Sequence, residues 1–158
     1  MIEPGTAAPD FSLPDQDGDV VSLAGLRGSR VVLVFYPSDF SPVCTDQLSV
    51  YQESLSDLEA AGARLYGLSV DSAYCHKAFR DQLGVTIPLL SDFNPKGAVA
   101  RAYGAYVDDY GVSARALVMI GPDGTVEWAH RSPSPLEVPG VELIHEALAT
   151  APGGSETR

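Results

Sequence analysis

The run Val31-Val32-Leu33-Val34-Phe35-Tyr36 is the feature that most constrains the fold. A strand with one wet face alternates apolar and polar side chains, whereas a strand without any polar position is buried on both faces and needs a layer above and below its sheet. Pro37 ends the run, because proline has no N–H to give to a ladder. The chain is therefore expected to be an α/β protein with this strand at its centre.

The flanking patterns fill in the layers. Phe11-Ser12-Leu13 and Val20-Val21-Ser22-Leu23 enclose the turn residues Pro14 to Gly18 and predict an N-terminal hairpin. After Pro37, the spacing of Leu48, Tyr51, Leu55 and Leu58 predicts one helix closed by Gly62. Arg64 to Val70 reads as a second buried strand, followed by a helix that Asp71 or Ser72 caps and that runs through Phe79 and Leu83 to Gly84. Ile87 to Leu90 is a short strand, and a helix opens at Asn94 and Pro95 and closes at Gly104. Ala116 to Ile120 and Thr125 to Ala129 flank Gly121-Pro122-Asp123-Gly124 as a hairpin, and a last helix from near Pro139 carries Leu143, Ile144, Ala147 and Leu148. Strand-helix alternation followed by a hairpin implies a mixed sheet with helices on both faces, an order that resembles thioredoxin-like folds with an N-terminal β-hairpin extension. Residues 1–150 are expected to form one domain, and 151–158, rich in glycine and polar residues, a disordered tail.

Ser41 suits an N-cap and Pro42 the N1 position of the helix after Pro37, which places Cys44 at N3. There a sulfur anion faces N–H groups without intrahelical partners. A free thiol has a pKa of about 8.5, and a nucleophile for neutral pH wants roughly two units less, or about 2.7 kcal/mol. A helix end supplies typically about 0.3 to 1 kcal/mol and at most about 2. A cation is needed as well, and arginine is the natural supplier, since hydrogen bonds to charged groups contribute about 1.5 to 3 kcal/mol.

Composition excludes other chemistries. Ten basic against twenty-one acidic residues give a net charge of −11, with the cations scattered singly, which argues against nucleic acid. No stretch approaches the roughly 18 apolar residues of a membrane span, and Met1 to Asp10 lacks the apolar core of a signal peptide. With only two cysteines in a chain able to build its own core, the thiols read as reduced and the location as cytoplasmic.

The segment Tyr36-Pro37-Ser38-Asp39-Phe40-Ser41-Pro42-Val43-Cys44 resembles the peroxiredoxin motif Pro-x-x-x-Thr/Ser-x-x-Cys after a hydrophobic strand. Gly111 to Val118 is similar to the strand that carries that family's active-site arginine, here Arg115. Ala8 to Leu13, Leu68 to Ser72 and Ala100 to Gly104 extend the likeness over nearly the whole chain, nearest to the bacterial one-cysteine alkyl hydroperoxide reductase and bacterioferritin-comigratory types. The resemblance implies a thiol peroxidase without cofactor or metal, in which Cys44 attacks hydrogen peroxide or an organic hydroperoxide and becomes a sulfenic acid. Pro37 would shield the thiol, Ser41 would hydrogen-bond the peroxide, and Arg115 would stabilise the thiolate and polarise the O–O bond. An external thiol, whether thioredoxin, a glutaredoxin or a low-molecular-weight thiol, would restore Cys44, and a homodimer is expected. Two positions depart from the pattern: Ser41 replaces the usual threonine and loses its rotamer-restricting methyl, and Gln47 stands where many members have glutamate.

Cys75 falls early in the helix after Val70-Asp71-Ser72, on the same side of a parallel sheet as Cys44, and is either a resolving cysteine or an incidental thiol. His76, His130 and His145 have no metal-ligand spacing and are expected to be structural or solvated, and Tyr103, Tyr106 and Tyr110 to pack. A dithiol oxidoreductase would need Cys-x-x-Cys where this chain has Ser41-Pro42-Val43-Cys44, and a cysteine hydrolase would need a histidine in a pairing context. A non-enzymatic redox sensor or chaperone-like protein using Cys44 as a switch is the alternative from another class.

Overall fold

The computed structural model describes residues 1–152. Its centre is a five-stranded sheet ordered β5-β4-β3-β8-β9, made of β5 (Leu89–Ser91), β4 (Ala63–Ser69), β3 (Arg30–Phe35), β8 (Ala116–Ile120) and β9 (Val126–Arg131). β3 is the middle strand, parallel to β4 and antiparallel to β8, and β4–β5 is parallel while β8–β9 is antiparallel. The parity of β3 explains both layers. Val32, Val34 and Tyr36 point into one apolar cluster with Leu48, Tyr51, Leu58, Phe79 and Ile144; Val31, Leu33 and Phe35 point into another with Phe11, Leu13, Val99 and Tyr103. Each such side chain contributes about 1.5 to 3 kcal/mol through burial, so this strand requires helices on both faces.

The first cluster is covered by α1 (Pro42–Glu53), α2 (Leu55–Ala60), α3 (Ala73–Leu83) and α5 (Val141–Thr150). The second is covered by α4 (Ala98–Ala102) and the hairpin of β1 (Ser12–Pro14) and β2 (Val20–Ser22). Gly67 in β4 has a specific task here: a Cβ would come within 2.7 Å of Leu89 and 3.2 Å of the Tyr36 ring, so its bare backbone makes room for both side chains.

The sequence expectations need correction at several places. The single helix after Pro37 is two, because at Ser54 the N–H turns to the Tyr51 carbonyl three residues back, and the same apolar stripe continues in α2. The helix expected from Asn94 begins at Ala98, where the Asp92 carboxylate accepts the N–H groups of Val99 and Ala100 and Gly97 turns the chain at φ +73°. A short ladder of β6 (Tyr106–Val107) with β7 (Val112–Ser113) was not legible in the sequence. Tyr110 in the turn between them is 71% exposed rather than packed, while Tyr103 is buried and donates to the Pro9 carbonyl. Ala151 packs in the core and the Pro152 carbonyl accepts from Arg30, so the expected tail does not start at 151; 153–158 lie outside the described residues.

Candidate active site

Strand direction assembles the site. β3 pairs in parallel with β4, Phe35 facing Leu68, and antiparallel with β8, Phe35 facing Ala116. The carboxyl end of β3, the carboxyl end of β4 and the amino end of β8 therefore meet at one edge. Pro37 to Cys44 leave that edge from β3, Asp71 to His76 leave it from β4, and Arg115 enters it one residue ahead of β8.

Ser41 is the N-cap of α1 and Pro42 stands at N1, as the residue types predict; the Ser41 hydroxyl accepts the Cys44 N–H at 3.1 Å. Cys44 is at N3 and completely buried. Removing the cap costs helices about 1 kcal/mol. Ser41→Ala is thus expected to lower the melting temperature by about 2 to 4 °C in a scanning calorimeter, and an unchanged transition would contradict the cap.

Arg115, 3% exposed, uses its whole fork. Nη2 donates to the Cys44 sulfur at 3.3 Å, Nη1 to the Gln47 Oε1 at 2.5 Å and Nε to the Pro135 carbonyl at 2.8 Å. The guanidinium is thus held in one orientation against the thiol, a charge-assisted contact of the strong kind. Gln47 was noted in the sequence only as a departure. It lies three residues after Cys44, on the same helix face, and that spacing could have marked it as the partner of the same cation. Its oxygen gives Arg115 an acceptor without a competing charge, and its amide nitrogen is buried without a hydrogen-bond partner.

Pro37 and Arg115 line a cleft of about 460 Å³, whose walls include Val107, Val112, Ala114 and Pro135. A larger cavity, about 520 Å³, lies elsewhere, beside the Arg30–Glu127 ion pair.

A second group of residues, not recognised from the sequence, adjoins the thiol segment. Asp39 accepts the Tyr36 hydroxyl at 2.5 Å and pairs with His76 Nδ1 at 2.7 Å, all of it buried. Burial, with the Asp39 charge second, pushes the Tyr36 hydroxyl well above its ordinary range, which keeps it a donor. The His76 side chain is completely buried in this pair, and His130 stacks on Trp128. Cys75 occupies N3 of α3, its N–H donating to the Ser72 hydroxyl. Its sulfur faces Asp71 Oδ1 at 4.0 Å rather than Arg115. Burial first, then the Asp39 and Asp71 carboxylates, push this thiol up to about 12. Asp39, Asp71 and Cys75 offer ligating atoms within 4.8 Å of one another. Both Asp39 oxygens and Asp71 Oδ2 already accept hydrogen bonds, however, and no ion is assigned to them.

A buried thiol at a helix start is thus faced by a fixed guanidinium at the edge of a mixed sheet, on a thioredoxin-like fold. The sequence model of the AhpC/TSA family matches residues 4–129, and the chain belongs to that family. It is 37% identical over 150 residues to alkyl hydroperoxide reductase E of Mycobacterium tuberculosis, covering 94% of this chain and 97% of that protein. Among solved structures it is similar to Enterococcus faecalis AhpC, with TM-score 0.86, 28% identity and coverage of 95% and 93% of the two chains. The peroxidoxin BcpB of Mycobacterium tuberculosis gives TM-score 0.82, 28% identity and coverage of 100% and 99%.

Proposed function

We propose that this chain is a thiol-dependent peroxidase that reduces hydrogen peroxide and organic hydroperoxides through Cys44. The observation that carries the reading is the 3.3 Å contact from Arg115 Nη2 to the Cys44 sulfur at a helix N-terminus. Membership of the AhpC/TSA family and similarity to proteins called alkyl hydroperoxide reductase and peroxiredoxin support it.

In this reading the Cys44 thiolate attacks one peroxide oxygen and the O–O bond breaks. Its electron pair leaves on the other oxygen, which takes a proton and departs as water or an alcohol. Arg115 and the first-turn N–H groups stabilise the charge as it moves from sulfur to the leaving oxygen, and Ser41 gives and accepts hydrogen bonds with the peroxide. Cys44 is left as a sulfenic acid. One external thiol then forms a mixed disulfide with release of water, and a second displaces Cys44 as a thiol. Pro37 shields the centre, and the apolar walls of the cleft suit the alkyl group of an organic hydroperoxide. Stopped-flow mixing of the reduced protein with hydrogen peroxide tests this. Oxidation orders of magnitude faster than free cysteine, with the added oxygen located on Cys44 by mass spectrometry, is expected; a rate like that of free cysteine would refute it. No specific observation favours the sensor or chaperone-like alternative.

The external reductant is assigned to thioredoxin, a glutaredoxin or a small thiol, and Cys75 is read as the incidental thiol. A thiol held protonated by burial first and by two carboxylates second is a poor nucleophile at neutral pH. One equivalent of peroxide should therefore give Cys44 sulfenic acid without an intramolecular disulfide, and Cys75→Ser should turn over within about twofold of wild type. A Cys44–Cys75 disulfide in the mass spectrum would reverse this. A homodimer in the cytoplasm completes the reading; no helix among the described residues is long and apolar enough to cross a membrane, and sedimentation equilibrium measures the assembly.

A further inference from the structure

Asp39 and His76 take no part in the chemistry above, yet both side chains are completely buried. Burying an ionisable pair is costly, so its presence calls for a reason. Asp39 lies between Pro37 and Ser41, in the segment that leads from β3 into α1. Its Oδ1 accepts from Tyr36 at the end of β3, its Oδ2 meets Nδ1 of His76 on α3, and its own N–H donates to Asp71 Oδ2 after β4 at 2.9 Å. His76 is held from the other side, 3.0 Å from Nε2 to the Leu90 carbonyl in β5. A carbonyl only accepts, so Nε2 carries a hydrogen and the ring cannot turn without losing a bond. Three parts of the fold thus grip one residue of the segment that delivers the thiol, and a fourth holds its histidine partner.

The next residue shows what the grip is for. Phe40 has φ +68°, a left-handed conformation that bulky side chains rarely adopt. The residue is 45% exposed, and its ring packs against that of Phe79 at 5.0 Å between centroids. This turn sets the direction in which the chain enters α1 and, through the Ser41 cap, the direction of the Cys44 thiol. Arg115 comes from another part of the chain, just ahead of β8 and held by the Pro135 carbonyl, and its bond to Gln47 is its tie to α1. Thiol and guanidinium thus reach the site on different elements, and a misplacement of about 1 Å between such groups can cost on the order of 100-fold in rate.

Resting on the peroxidase reading, the geometry points to Asp39 and His76 as positioning residues for that reaction. They touch neither thiol nor peroxide, and act by fixing the turn at Phe40 so that the start of α1 aims Cys44 at Arg115. Asparagine can keep every contact of Asp39: its oxygen accepts from Tyr36 and its amide donates to Nδ1 of a neutral His76. Alanine keeps none of the side-chain contacts.

The test compares two reactions of Cys44, oxidation by hydrogen peroxide and alkylation by iodoacetamide, since only the first needs Arg115 aligned with the incoming oxygen. Asp39→Ala is expected to slow oxidation about 100-fold while alkylation falls by no more than about threefold, and Asp39→Asn to recover oxidation to within about threefold of wild type. Tyr36→Phe, which removes one donor and keeps the ring, is expected to slow oxidation about tenfold and serves if the alanine variant does not fold. Wild-type oxidation rates in a folded Asp39→Ala or Tyr36→Phe variant would overturn the assignment. So would alkylation falling in parallel with oxidation, which marks loss of the thiol site as a whole, or an asparagine variant as slow as the alanine one. Wild-type protein no faster than free cysteine would instead remove the peroxidase reading, and this assignment with it.

Discussion

Cys44→Ser is expected to reduce the rate of peroxide consumption by at least about 10⁴-fold, to the level of buffer, because the hydroxyl that takes the place of the thiol is a far weaker nucleophile in an unchanged setting. Serine is close to cysteine in size, and the N3 position keeps its backbone N–H bond to Ser41. The variant should therefore fold with a melting temperature near that of wild type, which separates lost chemistry from lost structure. Cys75 remains in this variant and provides an internal comparison: held protonated by burial, Asp39 and Asp71, it should stay reduced over the same interval. Stopped-flow mixing combined with peptide mass spectrometry gives both answers. Peroxide consumption at the wild-type rate, or oxidation transferred wholly to Cys75, would remove Cys44 from its assigned role.

Arg115→Ala is expected to lower the second-order rate constant with hydrogen peroxide by about 10³-fold. Two losses combine, the hydrogen bond to a charged sulfur at about 1.5 to 3 kcal/mol and the electrostatic stabilisation of the developing charge at about 2.7 to 4 kcal/mol; they share one group and do not add fully. Arg115→Lys should recover only part of this. An ammonium supplies charge but not the three-way fork that engages Cys44, Gln47 and Pro135 together. Stability must be measured alongside, since alanine leaves the Gln47 oxygen and the Pro135 carbonyl without their donor, at about 1 to 3 kcal/mol for each group that stays dry. If the alanine variant is folded and oxidises within about threefold of wild type, the guanidinium is a structural tie and the proposed mechanism fails.

How much of this could be read from the chain depends on the range of the interaction. Local signals were legible: the all-apolar run of β3 gave a central strand, Ser41 and Pro42 gave the helix start, and with them the N3 position of Cys44. The order of such elements implied the thioredoxin-like mixed sheet. Ser54 was harder, because the apolar stripe runs unbroken through Tyr51, Leu55 and Leu58 and a periodicity cannot show one carbonyl changing partners. The start of α4 was misplaced for a related reason: its cap is Asp92, seven residues before the Val99 N–H it serves, outside the window in which capping residues are sought. Arg115 was reached through a resemblance, but its contact with Gln47 and the pairing of Asp39 with His76 are tertiary. A buried histidine 37 residues from its carboxylate leaves no spacing to recognise.

The antiparallel register of β3 with β8 has a consequence for how such a chain can change. Cys44 and Arg115 are 71 positions apart, yet their separation in space is set by which residues of two neighbouring strands stand opposite each other. Turns lying between them in sequence, such as the exposed one at Gly62 ahead of β4, can gain or lose residues and leave the reactive pair undisturbed. Slipping β8 by a single residue would be another matter: Arg115 would turn to the opposite side of the sheet, and every buried side chain of that strand would change layers with it.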